Sequence, residues 1–136
     1  MIHNPAWLDD LIANVRIILA AANALAVLEE TGAALTSDGT EQILYVNEAP
    51  AGVFRPMCVK LDCTNQTATE TVVIRTYYRI APAGAYVLQD MLTFVGAISP
   101  ELLNIDLEPN RYGIRVTLEL TAGTNREYTW EVCYKI

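Results

Sequence analysis

A chain of 136 residues with 52% apolar letters is long enough to bury one core without disulfides or metal, and too apolar to remain disordered. The formal charge of −7, with nine basic residues scattered along the chain, argues against a nucleic-acid backbone or an anionic membrane surface as partner, because both require clustered Lys and Arg. Three cysteines, Cys58, Cys63 and Cys133, match no zinc spacing, and an odd number leaves at least one thiol unpaired within the chain, so assembly in a reducing compartment is the simpler expectation.

The N-terminal pattern predicts a helix from Pro5 to about Thr31. Asn4 stands as N-cap, Pro5 at the first helical position, acids in the first turn, and Gly32 as the stop. Leu8, Leu11, Val15, Ile18, Ala22 and Leu25 recur at alternating steps of three and four, the apolar seam of a coiled coil. Ile12, Leu19 and Ala26 widen that seam. Ala13, Ile17, Ala20, Ala24 and Val27 occupy the opposite side, where a solvated helix would carry charge. One sandwich covers one stripe, so the rest calls for copies of the same helix, with a trimer favoured by the wide arc, or for the surface of a host assembly; the alternative is a helix packed along its own domain with an alanine-rich outer face. The apolar stretch 11–28 approaches membrane-spanning length, but Asn14, Arg16 and Asn23 interrupt it, and Asp9 and Asp10 precede it where a secretory signal would carry basic residues.

Beyond a polar linker at 36–40, segments of alternating apolar and polar residues are separated by Gly, Pro and Asn. Strands are predicted near 41–48, 54–63, 70–80, 86–96, 101–107, 111–121 and 127–136. The expected fold is mainly β, an antiparallel β-sandwich or jelly-roll-like domain of about seven strands behind one N-terminal α-helix. Residues 1–35 form a helical oligomerisation or docking segment in this reading, and 36–136 the sandwich. Two hairpins follow from matching apolar faces. The first sets Ile80, Tyr78, Ile74 and Val72 opposite Tyr86, Leu88, Leu92 and Phe94. The second sets Leu120, Leu118, Val116 and Ile114 opposite Tyr128, Trp130, Val132 and Tyr134, around a turn at Gly123, Thr124 and Asn125, and places Arg115 diagonal to Glu131 on its outer face.

Candidate chemistry is sparse. His3 is the single histidine, so neither a histidine-based triad nor a His-containing metal site can be assembled, and no phosphate loop, nucleophile elbow or zinc-protease motif occurs. No catalytic, cofactor or metal-ligating set is assigned, and no enzyme activity is expected. Thr76 facing Asp90 is the one polar pair in the inner row of the first hairpin, read as a register-fixing hydrogen bond or a strand end tilted to solvent. Arg75, Tyr77 and Arg79 are expected to form an exposed strip able to bind sugar or a partner chain. That strip carries the alternative reading of a carbohydrate-binding or adhesive module, although Trp7 at the helix start and Trp130 on an inner face make a thin sugar-stacking platform.

The stretch 71–80, Thr-Val-Val-Ile-Arg-Thr-Tyr-Tyr-Arg-Ile, is followed by 86–90, 109–118, 121–126 and Trp-Glu-Val-Cys-Tyr at 130–134. In style these segments resemble β-sandwich structural proteins from viruses of prokaryotes, over roughly residues 40 to 136. The resemblance implies a virion structural protein, a capsid decoration or capsid-associated subunit of a bacteriophage, assembled in the host cytoplasm as a symmetric homo-oligomer without catalytic residues. The long apolar N-terminal helix departs from that pattern.

Overall fold

The computed structural model describes residues 5–25, 28–48 and 53–135, of which 18–25, 28–30 and 135 are described by their backbone path. Among these residues one helix precedes eight strands: α1 (Ala6–Leu25), β1 (Leu28–Thr36), β2 (Glu41–Asn47), β3 (Arg55–Asp62), β4 (Thr71–Tyr78), β5 (Val87–Val95), β6 (Leu102–Asp106), β7 (Ile114–Ala122) and β8 (Glu127–Lys135). The strands form two antiparallel four-stranded sheets, in the orders β1-β8-β3-β6 and β2-β7-β4-β5. The pairings nest, β1 with β8, β2 with β7, β3 with β6 and β4 with β5, as if one long hairpin had been rolled up. That nesting is the jelly-roll topology.

The helix begins where its sequence signals place it, with one shift. Pro5 lies just outside and its carbonyl accepts from the Leu8 amide at 2.9 Å, so Ala6 is the first helical residue; Asn4, the expected N-cap, lies outside the described residues. The expected helical extent to Thr31 is corrected, because α1 ends at Leu25 and residues 28–36 form a strand. All nine residues of β1 pair with β8, from Leu28 opposite Lys135 to Thr36 opposite Glu127. The helix propensity of Leu-Glu-Glu is a weak local preference, and a full ladder on the otherwise open edge of β8 overrides it. Gly32 is no helix stop. It faces Glu131 in the ladder, where a Cβ would stand 2.6 Å from the Trp130 carbonyl oxygen, so the missing side chain permits the close approach of β1.

The terminal hairpin is the second correction. β7 pairs with β2 and β4 in one sheet, whereas β8 pairs with β1 and β3 in the other. Leu120, Leu118, Val116 and Ile114 therefore meet Tyr128 and Val132 across the core rather than side by side, and all six are buried. Their alternation is as expected; the neighbours differ. Trp130 sits beside Leu61 and Ala33 in its own sheet, half-buried, with its ring 6.0 Å from that of Tyr45. Arg115 and Glu131 lie on different sheets and form no diagonal pair.

In the first hairpin, Val72 opposite Phe94, Ile74 opposite Leu92 and Thr76 opposite Asp90 are as expected. A β-bulge at Gln89 then shifts the register, setting Tyr77 against Leu88 and Tyr78 against Val87, so the expected pairs Tyr78 with Leu88 and Ile80 with Tyr86 do not form.

Candidate assembly surface

The predicted seam is the first surface of interest. Leu8 is half-buried, while Leu11 and Val15 are exposed; the side chains of Ile18, Ala22 and Leu25 lie outside the described residues. The rest of the described helix is open as well: Trp7 is 65% and Ile17 67% exposed, and Ile12 and Ala13 are also exposed. Neither the seam nor the opposite side of this stretch is therefore covered by the sandwich. A residue such as Ile17 forgoes about 1.5–3 kcal/mol when left in water. No helix among the described residues is long and apolar enough to cross a membrane.

The expected binding strip of Arg75, Tyr77 and Arg79 is less open than its sequence implied. All three are half-buried on or just beyond β4, and each is engaged within the chain. The Arg75 guanidinium pairs with Glu119 at 2.6 Å and lies 3.8 Å from Glu41. The Tyr77 hydroxyl donates to Glu41, which also accepts from the Thr117 hydroxyl at 2.7 Å; these bonds, led by that from Tyr77, hold the Glu41 carboxyl below its ordinary range despite partial burial. Arg79 donates to the Tyr112 carbonyl at 2.8 Å and to that of Glu48, and stands over the Tyr86 ring at 5.0 Å. Arg115 lies over the rings of Tyr77 and Tyr86, at 4.7 and 4.5 Å. Each side chain of the strip thus takes part in a network that joins it to neighbouring segments of the chain.

Thr76 and Asp90 follow the solvent-tilted alternative. Thr76 is buried, Asp90 is exposed on the edge strand β5, and an Asp90 oxygen accepts from the Met91 amide at 2.8 Å. They border a cleft of about 250 Å³ between the β5 and β6 edges, which Leu92, Asn104, Asp106 and Glu108 also line. Among the described residues no group of three or more His, Cys, Asp and Glu side chains is placed to hold a metal. Strand β5 adds a second apolar surface, with Val87, Leu88, Met91, Leu92 and Val95 all exposed at the sheet edge.

At one end of the sandwich the loops are tied by a buried polar cluster that the sequence did not reveal. Ser37 and Arg126 exchange hydrogen bonds: the Ser37 amide donates to the Arg126 carbonyl and the Arg126 amide to Ser37 Oγ, both at 2.9 Å. Glu70, wholly shielded from solvent, accepts from the hydroxyls of Thr67 at 2.5 Å and Thr69 at 2.6 Å and pairs with the Arg126 guanidinium. The two hydroxyl bonds, followed by Arg126, hold its carboxyl down to about 2 from an ordinary 4.5. A carboxyl whose folded-state pKa is depressed stabilises the fold in full above the unfolded value, and that contribution fades as pH falls from about 4.5 through about 2. Glu70→Gln is expected to lower the melting temperature at neutral pH and to flatten its decline over this acid interval. Parallel melting curves of the two proteins between these limits would contradict the assignment.

No family model and no curated protein matches this chain. Among solved structures it is similar to one described as "Bacillus endospore appendages form a novel family of disulfide-linked pili", at 16% sequence identity and a TM-score of 0.47, covering 81% of this chain and 88% of that one. A likeness at this level assigns neither a family nor a role.

Proposed function

We propose that this protein is a non-enzymatic structural subunit that assembles with copies of itself through α1, most simply as a trimer, and displays its jelly roll on a larger particle. The observation that carries the reading is the apolar helix that the chain's own sandwich leaves uncovered from Trp7 to Ile17. Identical helices related by ring symmetry can bury such residues against one another, each to an extent of about 1.5–3 kcal/mol. An apolar arc wider than a strict two-position seam suits bundles larger than a dimer. A capsid-associated or decorating position on a virion is the particle the sequence resemblance implies.

Light scattering tests the assembly. The full chain should have about three times its 15.0 kDa protomer mass, and Leu11→Glu with Val15→Glu should run as a monomer with the sandwich still folded. The substitutions are preferable to a deletion running past Leu28, since β1 completes its sheet. A full chain that stays monomeric at micromolar concentration refutes self-assembly. Electron microscopy of the native source particle distinguishes a repeating surface lattice from any other placement.

A further inference from the structure

In the β1-β8-β3-β6 sheet, one row of paired positions crosses all four strands: Glu30, Cys133, Cys58 and Asp106. We propose that Cys58 and Cys133 form an oxidisable cross-strand dithiol, which closes into an intrachain disulfide by exchange with a small disulfide such as oxidised glutathione. Directly opposed residues of an antiparallel ladder have Cα atoms about 4.5–5.5 Å apart. That range lies inside the roughly 4.4–6.8 Å that a disulfide bridges. The neighbouring residues Val59 and Val132, also opposed, are fully buried on the inner face, so strand alternation places both cysteines on the other face.

Three features separate this pair from the remaining thiol. Both cysteines are half-buried and so within reach of a small reagent, whereas Cys63 is 1% exposed and packed in the core. Burial pushes the Cys63 thiol up to about 12, which keeps it protonated and unreactive. The β3 ladder also carries a bulge between Pro56 and Cys58, where Met57 is the extra residue, so the strand has local freedom to adapt to an S–S bond.

The step balances without a metal or an enzyme. One thiol, as thiolate, attacks a sulfur of glutathione disulfide and releases one glutathione thiol; the second cysteine attacks the resulting mixed disulfide and releases the other. The protein dithiol loses two electrons and two protons, and the small disulfide gains them. The product joins the two central strands of the sheet across about 75 positions of chain, which restricts the unfolded state most. The sheet is already paired in the reduced chain, so the bond adds stability when the surroundings turn oxidising.

The test equilibrates the full chain in oxidised or reduced glutathione, then alkylates it under denaturing conditions for intact-mass and peptide analysis. Oxidation should remove about 2 Da and leave one alkylatable thiol, at Cys63. The melting temperature should rise on the order of 10 °C over the reduced protein. Cys58→Ser and Cys133→Ser should each abolish both changes, and Cys63→Ser should abolish neither. Three alkylatable thiols after oxidation, a lasting glutathione adduct, or a disulfide between chains would each overturn the assignment.

Discussion

Tyr128→Ala is expected to leave the protein at the edge of unfolding. The side chain is fully buried among the core residues where the two sheets face each other, and truncating a large buried aromatic costs about 3–5 kcal/mol. Its hydroxyl also donates to Gln66 Oε1 at 3.2 Å, and the Gln66 amide donates in turn to the carbonyls of Phe94 at 3.2 Å and Gly96 at 2.9 Å. Losing the hydroxyl strands a buried acceptor, which adds about 1–3 kcal/mol. The total approaches the roughly 5–15 kcal/mol by which a domain is stable. Tyr128→Phe separates the two contributions by keeping the ring, and its urea midpoint should fall by the smaller amount alone with an unchanged slope. Burial pushes the Tyr128 hydroxyl up to about 12 from an ordinary 10, so the contribution tied to its protonated form is complete below the lower value and is lost as pH rises through the higher one. The Phe variant should lose less over that interval. A Phe variant as unstable as the Ala variant would show that the hydroxyl, not the ring, holds this end of the sandwich.

The second large effect belongs to Gly123, in the arch between β7 and β8. Its φ is +94°, and an added Cβ would lie 2.6 Å from the Thr69 carbonyl oxygen, 2.7 Å from Glu70 Cα and 2.9 Å from Glu70 N. These are backbone atoms of a loop anchored by the buried Glu70, whose carbonyl also accepts from the Gly96 amide at 2.8 Å, so they cannot rotate aside. Gly39 supplies the control, with a similar φ of +83° and nothing within 4 Å of its would-be Cβ. Gly39→Ala should cost only the left-handed backbone, about 1–2 kcal/mol. Gly123→Ala carries the same strain plus overpacking, about 1–3 kcal/mol more. Calorimetric melting of both variants decides the point: equal shifts would mean that the Thr69–Glu70 segment yields.

Much of this architecture was legible in local patterns. The alternation at Leu118, Leu120, Tyr128 and Val132 identified the buried face of each strand, because side chains change sides at every residue whatever lies next to the strand. Pro5 and the first-turn acids located the helix start to within one residue, since capping depends on a few consecutive positions. The same alternation could not name the neighbour. A strand satisfies its apolar face equally by lying beside a partner or by facing it across a core, so β7 and β8 read as a hairpin although they belong to opposite sheets. The outer turns of the nest, β1 with β8, β2 with β7 and β3 with β6, depend on ladders between distant segments, which leave no mark on either segment alone.

The tertiary structure also decided the nature of residues 28–36, where a ladder on β8 outweighs the helical preference of Leu28 and Glu29. It set the neighbours of Arg75, Tyr77 and Arg79, bringing Glu41, Glu119, Arg115 and Tyr86 alongside them from other parts of the chain. It brought Cys58 and Cys133 side by side and sent Cys63 into the core, a distinction that spacing along the chain cannot carry. Composition and periodicity determined which residues seek cover, because burial preference is a property of each side chain. Which surface provides that cover is a property of the whole chain, and for the helix from Trp7 to Ile17 the sandwich does not provide it.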